Sequence, residues 1–146
     1  MKSSCKLIKV YHNLTLTIQN RSGLIHYKEI ILWKKQFVNA VYQSVIEDNL
    51  SIYKGLFKNT KIQEASDPHW IKALTLFDHL CDTDKDILMD IIKQTMVDSI
   101  SNIFGIIDGS SFLDESTHEL KLMELNSGAS LSGDLQSIFL ELDEGK

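Results

Sequence analysis

The chain has 146 residues, enough for about one domain that buries roughly 68–70% of the surface its unfolded form would expose. Its 43% apolar and 24% charged composition, with 7 Gly and 1 Pro, excludes collagen-like, low-complexity, disulfide-scaffold and wholly disordered classes. The net charge of −5 conceals a split: residues 1–61 carry ten Lys/Arg against three Asp/Glu (+7), and residues 62–146 five against seventeen (−12).

Residues 1–26 read as an N-terminal arm or short strands. Leu14-Thr15-Leu16-Thr17-Ile18 alternates with period two, and Asn20-Arg21-Ser22-Gly23 has turn chemistry. Lys2, Lys6 and Lys9 precede no apolar stretch of about 7–15 residues, so a secretory signal is not expected. Residues 27–146 read as a single helical domain.

From Tyr27 to Lys58 the period is helical. Trp33, Phe37, Val41 and Val45 fall four apart, flanked by Ile30, Val38, Ile46, Ile52, Tyr53, Leu56 and Phe57. This is a wide apolar stripe on one long helix, or on two helices broken near Asp48-Asn49, with Lys34, Lys35, Gln43 and Glu47 on the polar side. Asn59-Thr60 should end it.

Asp67-Pro68 marks the next start, because an aspartate accepts from free first-turn amides and proline suits the first helical position. The helix that follows puts Trp70, Leu74, Phe77 and Cys81 on one face and stops near Leu80-Cys81. Cys81 then reads as a small buried hydrophobe. A further helix begins at once. Thr83 with Asp86 suggests a capping box, and Asp82, Asp84 and Asp86 suit a helix N-terminus electrostatically. Leu88, Ile91, Ile92, Met96, Ile100, Ile103, Phe104 and Ile107 carry its stripe to Asp108-Gly109. Its last two turns are apolar nearly all round and should lie in the core. Gly105 permits a close neighbour, and Gly109 suits a left-handed C-cap.

After a loop through Ser116, Glu119-Leu120-Lys121-Leu122 alternates, Asn126-Ser127-Gly128 offers a turn, and Ala129–Leu131 reads as a return strand. Asp134 should cap a last helix carrying Leu135, Ile138, Phe139 and Leu142. The expected fold is mainly α (α+β): a helical bundle around a long central helix, with a small β-hairpin and a short C-terminal helix.

Constellations that carry chemistry are weak. Asp82-x-Asp84-x-Asp86 opens like a calcium loop, but Ile87 and Lys93 stand where glycine and a bidentate glutamate are needed. Asp78, His79, Cys81 and Asp82 cluster near a helix junction with Asp67 and His69 one helix away, yet the two histidines, ten residues and a rotation of roughly 280° apart along one helix, do not converge on a zinc ion. No Gly-x-Ser-x-Gly elbow or phosphate loop occurs, and the five histidines (12, 26, 69, 79, 118) form no acid–base pattern. Asp108-Gly109-Ser110-Ser111 reads as helix-stop and turn chemistry. No cofactor or metal is expected.

The charge split has two readings. Either the segments neutralise one another across the folded surface, or an acidic surface built from Asp82, Asp84, Asp86, Asp90, Asp114, Glu115, Glu119 and Glu124 steers toward a basic partner. The lysines are spaced as ordinary solvated positions and Arg21 is the only arginine, which argues against nucleic acid.

Three stretches resemble small uncharacterised bacterial helical proteins: Asp67-Pro68-His69-Trp70; Asp98-Ser99-x-Ser101-Asn102-x-Phe104-Gly105-Ile106-Ile107-Asp108-Gly109; and Gly133-Asp134-Leu135-Gln136-x-Ile138-Phe139-Leu140. Some proteins of this general kind are immunity partners of secreted toxins. The resemblance spans residues 27–142, implies a bacterial cytoplasmic setting and a protein partner, and assigns no functional residue. The expectation is a non-enzymatic interaction protein, most concretely an immunity protein that neutralises a basic toxin, with no membrane association. The alternatives are a small hydrolase or transferase, with a site near Asp108–Ser111 or His79–Asp82, and a helical nucleic-acid regulator. The width of the stripe over residues 30–57 leaves a homodimer open.

Overall fold

An apolar repeat of four drifts by about 40° per step around a helix of 3.6 residues per turn, so a long stripe of that spacing needs a correction. The computed structural model, which describes residues 27–112 and 119–145, contains one. Helix α1 occupies residues 27–59 and widens into a π turn at Tyr42–Glu47, where the Asp48 amide donates to the Gln43 carbonyl. The wider turn takes up part of the drift and keeps Val38, Tyr42 and Ile46 on one face, each almost fully buried. The expected stripe is thus displaced by one residue. Phe37, Val41 and Val45 flank the core half-buried. The helix does not break at Asp48-Asn49, since α-type bonding resumes over Asp48–Asn59.

A linker containing a short 3-10 turn, Ile62–Glu64, leads to α2, Pro68–His79. The Asp67 carboxylate accepts from the amides of His69 at 2.8 Å and Trp70 at 3.1 Å, with Pro68 in the first turn as expected. Helix α2 lies against the end of α1 through stacked Phe57 and Phe77 rings, 4.5 Å apart, and through Trp70, which meets both Tyr53 and Phe57.

Helix α3, Asp82–Asp108, is 27 residues and about 40 Å long. Its N-cap is Cys81, not Thr83, and no side chain caps its first amides. Cys81 is exposed, which overturns its reading as a core residue. It sits in extended backbone between two helices, outside the register of α2, and its thiol points to Asp84 at 3.1 Å. The C-terminal turns are covered on one side only. Phe104 and Gly105 are buried, whereas Ile103 is 50% exposed. A Cβ on Gly105 would stand 2.8 Å from the Ser111 hydroxyl and 3.0 Å from the Gln136 amide, so a larger residue there would displace both side chains. Gly109 closes the helix at φ 76°, in the left-handed region.

The expected β-hairpin is absent. Among the described residues there is no strand, only one isolated antiparallel bridge between Met123 and Ser130. Two backbone bonds flank that bridge, from the Glu124 amide to the Ala129 carbonyl and from the Leu131 amide to the Leu122 carbonyl, and the pairing goes no further. The Leu122 amide donates to the Ser132 hydroxyl, and the Glu124 carboxylate gathers the Asn126 and Ser127 amides into a tight turn. The possible strand at Leu14–Ile18 lies outside the described residues.

Helix α4, Leu135–Glu144, closes the core of Val38, Tyr42, Ile46, Val97, Phe104, Leu135 and Phe139, contributed by α1, α3 and α4. Phe139 makes ring contacts with both Tyr42 and Phe104. Burying each such side chain contributes about 1.5–3 kcal/mol.

Candidate interaction groove

The polar groups at the junction of α3 and α4 are engaged in holding the fold. The two oxygens of Asp108 accept from the amides of Gly133 at 2.6 Å and Gln136 at 2.9 Å, capping α4 from a distant part of the chain. Asp134 occupies the N-cap position but makes no capping bond. It pairs instead with Lys34 at 2.8 Å. That lysine is buried, 8% exposed, and also donates to the Ser132 carbonyl, so its assignment to a polar outer face is overturned. The pair joins the basic and acidic halves of the chain. Ser110 donates to the Gln136 side-chain oxygen, which leaves Asp108-Gly109-Ser110-Ser111 as helix-stop and capping chemistry beside an open cavity of about 410 Å³. At the other candidate site, His79 is tied through Nδ1 to the Thr75 carbonyl at 2.6 Å. Among the described residues no three His, Cys, Asp or Glu side chains converge to hold a metal ion.

A second network links the three core helices. The Tyr42 hydroxyl donates to Asp143 at 2.7 Å, and Lys93 reaches the same carboxylate oxygen at 3.0 Å. Burial together with its bond to Asp143 raises the Tyr42 phenol above its ordinary pKa. The bond to Asp143 raises Lys93, while burial opposes it. Burial pushes the Asp143 carboxyl up, but the bonds from Tyr42 and Lys93 outweigh it and hold the group below the usual range.

Of the eight acidic residues expected to form one surface, the six that the structure describes do not lie together. Asp82, Asp84, Asp86 and Asp90 are exposed on the first turns of α3. Glu119 lines the cavity beside Asp108, at the opposite end of a helix about 40 Å long. Glu124 is occupied within its own turn, where the Ser127 hydroxyl and the Asn126 and Ser127 amides hold its carboxyl below the usual range. Asp114 and Glu115 lie outside the described residues.

Asp82 and Asp86 border an open groove of about 950 Å³, a large concavity among the described residues, between the end of α1 and the α2–α3 junction. Its floor is apolar, formed by Phe57, Leu74, Phe77 and Met89. One rim carries Lys54, Lys58 and Lys61, and the other Asp78, Asp82 and Asp86. All six are exposed. Lys85 lies over the Phe77 ring, 5.5 Å from its centroid, and approaches Asp82 at 3.6 Å. Among the described residues, no ion pair within 4.0 Å crosses the groove, and Lys54, Lys58, Asp78 and Asp86 make none at all.

Sequence reasoning missed the lysine rim and Asp78. The signal was present: Lys54 and Lys58 are four apart beside Phe57, and Asp78, Asp82 and Asp86 keep the same spacing across the helix break. Only the docking of α2 on α1 brings the two sets to one groove. Among the described residues no helix is long and apolar enough to cross a membrane. Comparison with protein-family models, curated proteins and solved structures finds no match.

Proposed function

We propose that this protein acts by binding another protein, without a reaction of its own, and that the partner is basic. The most concrete form is an immunity protein that neutralises a secreted toxin inside a bacterial cell. One observation carries the reading: exposed Asp78, Asp82 and Asp86 stand at the α2–α3 junction beside a groove with an apolar floor, while Asp108 is committed to capping a helix. Exposed acidic groups steer a basic partner and raise its association rate.

Mixing the purified protein with toxins encoded beside its gene tests this. The expected result is a complex of nanomolar to micromolar affinity that protects cells, with an association rate that falls as salt rises. Asp82→Lys with Asp86→Lys should slow association about tenfold at low salt. No complex and no protection would overturn the reading.

A further inference from the structure

We infer that the groove between α1 and the α2–α3 junction receives a single amphipathic helix of the partner, acidic along one flank and basic along the other. This rests on the protein-binding reading above and narrows it. Opposite charges line the two rims, yet no ion pair joins them across the opening. Lys61 pairs with Glu64, and Lys85, on the aspartate side, pairs with Asp82, so the charge left for an occupant is that of Lys54 and Lys58 on one rim and of Asp78 and Asp86 on the other. An occupant that leaves neither rim facing like charge must carry acid toward Lys54 and Lys58, and base toward Asp78 and Asp86.

The shape of the opening selects the secondary structure. A helix presents one apolar stripe bordered by two polar flanks, so its stripe can meet Phe57 and Phe77 while its flanks meet both rims. A strand alternates between two faces and offers a floor-facing row without lateral flanks. A nucleic acid carries one sign of charge and would meet the aspartate rim with repulsion. Residues 1–26 of this chain hold Lys2, Lys6, Lys9 and Arg21 but no acid, so they mismatch the lysine rim in the same way.

Three fluorescein-labelled synthetic helices test the inference, titrated by anisotropy against the full chain. They share a leucine ridge and differ only in their flanks: glutamate on one and lysine on the other, lysine on both, or glutamate on both. The split-flank peptide should bind about tenfold more tightly than either other peptide at low salt. Lys54→Glu with Lys58→Glu, both at exposed positions, should reverse the order and favour the all-lysine peptide. Circular dichroism of that variant checks that its helices persist. If the all-lysine peptide binds the unmodified protein as tightly as the split one, the groove assignment falls and the basic-partner reading stands. Equal binding by all three, or binding by none, also overturns the groove assignment, and the toxin-mixing experiment then decides the broader reading separately.

Discussion

The two ends of the long helix α3 are built differently. At its C-terminal end the side chains close on one another: Leu135 and Phe139 are fully buried, Lys34 is paired, and Asp108 caps a helix from a different part of the chain. At its N-terminal end Phe57, Trp70 and Phe77 touch but stay half-buried, and four charged groups at the groove have no ion-pair partner. The first end has the attributes of a stabilising core, with apolar burial and satisfied polar groups. The second keeps apolar and charged surface within reach of solvent, as a binding surface does.

Truncation across the two aromatic clusters probes this contrast most strongly. Phe139→Ala should cost about 3–5 kcal/mol in urea unfolding, because the site is enclosed on every side. Phe57→Ala, at a half-buried ring, should cost about half as much or less. Equal losses would remove the distinction between a closed end and an open one.

Asp108→Ala should cost about 1–2 kcal/mol by leaving two amides at the start of α4 without their acceptor. Amide hydrogen exchange at Gln136 should quicken more than at residues of α2.

The smallest effect is expected from the Tyr42–Asp143–Lys93 network, at about 1 kcal/mol for Asp143→Asn near neutral pH, since its charges are partly solvated. The sign of its pH dependence follows from three shifts. Asp143 is depressed, so its contribution is complete above about pH 4 and fades as acid titrates it. Lys93 and Tyr42 are both raised, so theirs is complete below about pH 10 and fades in stronger alkali. The stability gap between parent and variant, followed by urea unfolding across pH, should be flat near neutrality and shrink at both extremes.

Much of the helical layout was legible because it depends on neighbours within a turn or two. Asp67-Pro68 started α2 as its chemistry requires, Gly109 ended α3, and the Leu135, Ile138, Phe139 and Leu142 spacing marked α4. Errors arose where a side chain from outside the local pattern took a backbone amide or covered a charged group. Residues 119–122 and 129–131 read as paired strands, but the Leu122 amide donates to the Ser132 hydroxyl in place of a strand carbonyl, and the pairing stops at one bridge. Lys34 looked solvated until Asp134, a hundred residues on, covered it. Half of the expected acidic residues stand on the first turns of α3, and Asp82 and Asp86 among them reach the groove. Their lysine counterpart belongs to a remote helix and left no local trace of its partner.

The sequence by itself determined where helices begin and end and, to within one residue on α1, where their apolar stripes run, since capping and periodicity act over a few residues. Tertiary structure decided which polar groups are consumed and which remain available. That outcome depends on which side chains from distant segments come within hydrogen-bond reach. Packing α4 against α1 and α3 engaged Asp108 and Lys34, whereas docking α2 on the end of α1 set the lysine and aspartate rims facing one groove, too far apart to pair.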